Sequence, residues 1–348
     1  MPFLAGRRRL VIAVLAVLLV VAAVAGVLVV RWATGTGMTP AAVAPACEGS
    51  DRKVTRPFPA DTQLTEQWEV PSPRDDVTYD LTGVTSTAYP ATRSVFEVGS
   101  DEPKLRTCVI GGTVLGKAEA NRTWDYYHDE WNAGCVKILA LGWSQVRDLR
   151  CDGVEDGIVV KETSDNANNT NIYVSGTYLS GIRDDCMEND YTVGGLLKDN
   201  LWEGCHTGIS ERPWGDREWS SPSDEVLTLD HMLIGLYKTP KEHDDKVVMG
   251  HNSIFKWSDS GNHVVIKCSI FKVEAKSING ADSMAMPPGT KVDDSACKDK
   301  PSTIVWLGRG KYPGETAGMR VVKDKSVWTE AVQEWKSAHG VSEESATP

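Results

Sequence analysis

The sequence predicts an all-β solenoid, a coil of short strands stacked in parallel, and three observations predict it. Between residues 104 and 276, β-prone runs recur at 108–115, 135–141, 157–161, 171–175, 226–229 and 263–271. Each is bounded by Gly, Asn, Asp or Ser, and none carries the helical period of an amphipathic segment. Three rungs align at a glycine: Gly153-Val154-Glu155-Asp156-Gly157-Ile158, Gly181-Ile182-Arg183-Asp184-Asp185-Cys186 and Gly204-Cys205-His206-Thr207-Gly208-Ile209. The glycines lie 28 and 23 residues apart, which is solenoid spacing. The alignment also places apolar residues in columns, Val154 with Ile182 and Cys205, then Ile158 with Cys186 and Ile209, as stacking of successive turns requires. Two residues later Val160 is matched by Glu188 and Glu211, read as carboxylates that project outward beyond a corner. The polar insertion at 164–169 accounts for the longer first interval.

In chain order, Arg7, Arg8 and Arg9 precede an uncharged apolar run over residues 10–30, ended by Arg31. A span of about 20 apolar residues crosses a bilayer, whereas a cleaved signal core is roughly 7–15 residues long. Length therefore favours an uncleaved single-pass anchor over residues 1–31, its basic end cytoplasmic and the rest of the chain outside. The Ala-rich stretch at 41–46 keeps cleavage, and a secreted product, as the alternative. Residues 32–100, rich in Thr, Ala and Pro, read as a stalk and an irregular lead-in segment, with Pro57, Pro59, Pro71 and Pro73 excluding long helices. The coil is assigned to 101–320, with a late strand at 302–307 after a loop at 279–301. Residues 321–348 hold a helix at 324–339, in which Val327, Trp328, Ala331, Val332 and Trp335 have amphipathic spacing and Gly340 is the stop; it is expected to cap an open end of the coil.

Composition narrows the function. A formal net charge of −11 excludes a nucleic-acid partner, which would require a basic stripe, and suits a neutral or weakly charged substrate. Twelve Trp against five Phe favours sugar stacking, although indoles also serve simply as packing. Eight cysteines, at 47, 108, 135, 151, 186, 205, 268 and 297, fit an exported chain with at least one disulfide; buried free thiols are the alternative, and the spacing assigns no connectivity. No Cys-x-x-Cys pair, phosphate-binding Gly loop, nucleophile elbow or metalloprotease helix is present. The sequons at Asn121 and Asn168 matter only in a eukaryotic host.

Stacked, the three rungs bring Asp156, Asp184, Asp185 and His206 together. Hydrolysis of a glycosidic bond by inversion needs one protonated carboxyl for the leaving oxygen and one carboxylate to activate water, and adjacent carboxylates can divide those roles because repulsion raises one pKa. The Asp156-Gly157, Asp184-Asp185-Cys186 and His206-Thr207-Gly208 rungs, in that order, resemble the central rungs of the polygalacturonase family of glycoside hydrolases, within the right-handed parallel β-helix (pectin lyase-like) superfamily. The resemblance covers about a third of the chain. It implies Asp184 as general acid, Asp185 and Asp156 as the pair positioning water, and His206 as a tuning group.

The sequence departs from the family's pattern in Val154-Glu155 before the first Asp and in the Thr between His206 and Gly208. Its Arg-x-Lys rung is echoed only in Gly235-Leu236-Tyr237-Lys238, without the arginine, which leaves Lys238 as a substrate-binding candidate together with Arg212, Glu188 and Glu211. The expected partner is an extracellular or cell-envelope polysaccharide, with no cofactor and no metal. A resemblance to β-helix polysaccharide lyases implies the alternative, in which Glu188, Asp190 and Glu211 bind Ca²⁺ and Arg212 abstracts a proton. Two non-catalytic readings compete: Asp and Asn at solenoid corners cap turns without chemistry, and a flat, Trp-rich sheet can bind glycan without cutting it.

Overall fold

The computed structural model describes residues 47, 52–100, 106–139, 142–161, 171–212, 225–258 and 261–342. The expected anchor at residues 10–30 lies outside them; among the described residues no helix is long and apolar enough to cross a membrane. Among the described residues twenty strands pair in parallel, and the pairings run in three ladders, an arrangement compatible with a parallel β-helix.

In the first ladder Tyr79, Val109, Val146, Val174, Leu197, Leu229, Ile266 and Val292 follow one another in register. In the second the line is Val114, Cys151, Leu179, Trp202, Ile234, Phe271 and Ile304. In the third it is Phe96, Val136, Ile158, Met187, Ile209 and Phe255. These columns form the single large core. Their buildup from aliphatic and aromatic residues follows from strands that each have one face turned inward and a partner above and below.

The aligned glycines do stack. Gly153, Gly181 and Gly204 have φ of +64°, +61° and +102°, and a Cβ on Gly181 would sit 3.3 Å from the Gly153 nitrogen. Only glycine turns this corner without strain. Beyond it the expected columns slip by one. Ile182 pairs with Cys205 but Asp185 pairs with Thr207, so the middle rung holds an extra residue, a bulge. Met187, not Cys186, therefore continues the Ile158 column. Because side chains alternate along a strand, the slip also separates the two glutamates. Glu188, beside Val159 and Ser210, faces outward as expected. Glu211 instead points into the core, where it accepts hydrogen bonds from Asn189 Nδ2 at 2.6 Å and the Asn262 N–H at 2.8 Å.

Other expectations shift for similar reasons. Lys53–Thr55, Val77–Ser86 and Phe96–Val98 belong to the ladders themselves, so the lead-in segment forms the first turns of the coil. A helix absent from the sequence reading, α1 (Trp124–Glu130), is seven residues long, too short to display a period; Thr123 Oγ1 caps it by accepting the Tyr126 N–H at 3.2 Å. The C-terminal helix α2 (Ser326–Ala338) forms where predicted but does not cap an end. Its Trp328, Val332 and Trp335 pack on Tyr178, Leu201 and Leu233, the outward-facing column of the second ladder.

All eight cysteines are paired: Cys47–Cys108, Cys135–Cys151, Cys186–Cys205 and Cys268–Cys297. Four disulfides fit an extracellular or otherwise oxidising environment.

Candidate functional site

The acidic residues of the three rungs lie where the chain enters the third ladder. In a regular strand two adjacent side chains point to opposite faces. The bulge suspends that rule, and Asp184 and Asp185 converge with Asp156 of the preceding rung, one carboxyl oxygen from each lying within 4.8 Å of the others. Asp156 Oδ1 accepts the Asp185 N–H at 3.2 Å, fastening one rung to the next. Glu155 joins from the other side: its oxygen and one of Asp184 each lie 3.8 Å from Nδ1 of His128, on α1.

All four carboxyl side chains are buried, at 1% exposure for Glu155 and 3–5% for the aspartates. Desolvation pushes Glu155 up to about 8 and Asp185 up to about 6, and drives Asp156 well above the carboxylate range, with the neighbouring acids adding to the burial in each case. One ammonium offsets the charge. Lys256 Nζ, on the strand Phe255–Trp257, meets Asp185 Oδ2 at 3.3 Å, and its acidic neighbours outweigh burial to hold it above its ordinary value.

A cover lies over this cluster. It is made by α1 and by a hairpin of Thr239–His243 with Lys246–Gly250, inserted between rungs. The Glu242 N–H donates to Asp125 Oδ2 at 2.7 Å, Lys241 Nζ sits 3.4 Å from the centre of the Trp124 ring, and Trp124 stacks on His128 at 4.5 Å. The aspartates lie together, but among the described residues they are buried. A groove lies beside them, with a volume of about 920 Å³, lined by Arg212, Lys241, Asn252, Lys256, Trp257 and Asn279 among others.

The remaining predicted residues are dispersed. His206 is buried away from the carboxylates; its Nδ1 lies 2.7 Å from Thr239 Oγ1 and its ring stacks on Trp124 at 6.1 Å. Burial, with Lys241, His251 and Lys256 adding to it, holds its pKa down to about 3, so it is a neutral ring beneath the cover. The imidazole that reaches the acids is His128. Lys238 follows Gly235, which pairs with Glu203 and Lys272 in the second ladder, so its rung belongs to another face of the coil. The lysine in register beyond Ser210 is Lys256, displaced in sequence by the hairpin. Arg212 is exposed and reaches the groove. The calcium trio is not assembled: Asp190 accepts from Ser210 Oγ and the Arg212 N–H, both at 2.9 Å, whereas Glu211 is inside the core, and the described residues bring no such trio together as ligands.

Glu155, His128, Lys256 and Trp124 were missed by the sequence reading. Glu155 was recognisable in the rung as a second carboxylate beside Asp156; the other three depend on the inserted hairpin and on a helix of seven residues. Comparison of the chain with protein-family models, curated proteins and solved structures returns no match.

Proposed function

We propose that this is a carbohydrate-active protein that binds a polysaccharide in the groove beside Lys256. The observation that carries the reading is the groove's composition. It offers a half-buried Trp257 ring to stack on a sugar face, the amides of Asn252 and Asn279 to bond hydroxyls, and three cations, Arg212, Lys241 and Lys256, to meet any acidic substituent. On a chain of net charge −11 a lining that sets three cations against the two acids Asp282 and Glu315 is a local departure, and a nucleic-acid backbone would still meet an acidic surface around it.

Hydrolysis is the second reading, favoured by one contact: Lys256 joins the groove to Asp185 at 3.3 Å and through it to Asp156 and Asp184. In this reading Asp184 gives the proton to the leaving oxygen while Asp156 and Asp185 position water. Inversion ordinarily separates the two carboxyls by about 6.5–9.5 Å to admit that water. The present oxygens approach within 4.8 Å under the cover, so catalysis would need the cover displaced and the carboxyls drawn apart. Binding needs neither movement, and it is the better-supported function.

A panel of neutral, uronic and envelope glycans titrated against the intact extracellular chain tests both readings. Tryptophan fluorescence should respond to at least one oligosaccharide, and Trp257→Ala should weaken binding about tenfold or more at a temperature where the variant, which also loses the Trp257 packing on Phe255, is still folded, since a stacked aromatic contributes on the order of 1–2 kcal/mol. New reducing ends abolished by Asp184→Asn would add hydrolysis. An ultraviolet-absorbing product that chelator suppresses would point to elimination instead. Absence of binding across the panel would end the carbohydrate reading.

A further inference from the structure

Where the cover meets the coil, His128, Glu155 and Asp184 come from three separate stretches of chain and meet as loose ion pairs rather than hydrogen bonds. His128 Nδ1 stands 3.8 Å from Glu155 Oε1 and 3.8 Å from Asp184 Oδ2, beyond hydrogen-bond length in both directions. One ligand atom from each residue lies within 4.8 Å of the other two. Donors placed about 2.0–2.2 Å from a common tetrahedral ion are about 3.4 Å apart, so the two imidazole–carboxylate spacings would each have to shorten by a few tenths of an ångström, and the Glu155–Asp184 spacing would have to close from within 4.8 Å, to bring the three onto one centre.

The second observation is Glu155 itself. Its side chain is 1% exposed, it lies inside this group, and neither of its carboxyl oxygens has a hydrogen-bond partner among the described residues. A buried carboxylate is ordinarily paired, hydrogen-bonded or metal-bound. The mounts are firm. The Glu155 N–H donates to the Ala133 carbonyl at 3.2 Å, the Asp184 N–H donates to the Glu155 carbonyl at 2.8 Å, and the His128 ring is oriented by its stack on Trp124.

We propose that His128, Glu155 and Asp184 form a binding site for a divalent cation of the zinc or cobalt type. One imidazole and two carboxylates suit such a borderline ion better than Ca²⁺ or Mg²⁺, which prefer all-oxygen shells. The ion would tie α1, and with it the cover, to two successive rungs of the coil. It would also occupy Asp184, so a metal-loaded protein could not use that residue as an acid. The site is independent of whether the groove takes a glycan.

Co²⁺ titrated into the tag-free, chelator-treated extracellular chain provides the test, followed by its visible d–d absorption and by calorimetry. One equivalent should bind with a tetrahedral or five-coordinate spectrum, Zn²⁺ should displace it, and a large excess of Ca²⁺ should not. His128→Ala, at a half-exposed position, should weaken binding by more than the roughly 10–100-fold that loss of an outer-shell partner costs while a melting curve shows the variant still folded. Glu155→Gln, which replaces a carboxyl able to ionise on a metal with an amide of the same volume, should do the same. Absence of saturable Co²⁺ uptake would overturn the proposal, and so would uptake unchanged in both variants, which would place the ion on another histidine.

Discussion

His206→Gln isolates the consequence of burying an imidazole where no acid can pair with it. The ring is 2% exposed and held near pKa 3 by desolvation and by Lys241, against an ordinary 6.5. The folded protein thus refuses a proton that the unfolded chain accepts below pH 6.5. The sign follows: the stability associated with the neutral ring is complete above that pH, is lost progressively as pH falls toward 3, and changes no further below it. At pH 5, about 1.5 units below the unfolded value, the loss is about 2 kcal/mol relative to pH 8. In a folded region of roughly 300 residues that corresponds to a fall in melting midpoint of about 3 °C. Glutamine retains a partner for Thr239 Oγ1 but does not titrate. It forfeits the stack on Trp124 at every pH, so the variant should be less stable than wild type at pH 8 and should close about 2 kcal/mol of that gap by pH 5. Denaturant melts of both proteins at the two pH values read the double difference, in which every other titrating group cancels. A gap that stays constant between pH 8 and pH 5 would refute the assignment of His206 as a buried neutral ring.

Three further outcomes are expected. Glu211 is held above its ordinary value by burial, despite the two N–H groups it accepts, so the folded state retains its proton and stability should fall as pH rises above about 4.5; Glu211→Gln should flatten that slope while costing about 1–3 kcal/mol throughout, because its amide meets one donor with another, and an unflattened slope in melting temperature against pH would count against it. Opening the Cys47–Cys108 bridge, whose partners are 61 residues apart, should destabilise by about 4 kcal/mol, against about 3 kcal/mol for Cys186–Cys205 at 19 residues, with Ser replacing both cysteines of each pair; alkylation of the denatured chain without reductant should label no cysteine, and any labelled position would remove a bridge. Trp124→Ala should loosen the contacts of Lys241, His128 and His206 with the cover, so carbodiimide coupling to Asp184 and Asp185, followed by peptide mass mapping, should rise several-fold; equal labelling in both proteins would mean that the carboxylates are shielded by something other than α1 and the hairpin.

What the amino-acid order determined by itself was everything governed by local pattern. Short β-prone runs between turn residues, glycines at solenoid spacing and apolar columns are properties of neighbouring residues and of a fixed repeat. They led to the parallel strands, to the stacked corner of Gly153, Gly181 and Gly204, to the Asp156, Asp184 and Asp185 group, and to a helix over Trp328, Val332 and Trp335. The periodic signal carried no information about a single inserted residue. The bulge at Asp184 reversed side-chain parity downstream in its own strand, turned Glu188 outward while Glu211, two residues past the inward Ile209 of the next strand, stayed in the core, and let two adjacent aspartates face the same way. Nor could spacing foresee contacts between segments far apart in sequence: Lys256 reaches Asp185 from the far side of an inserted hairpin, and His128 reaches Glu155 from a helix of seven residues. Burial was decided at the same level. A carboxylate in a turn-rich rung reads as exposed until the chain that folds over it is known, and here α1 and the hairpin close over the acids and leave the open groove beside Lys256.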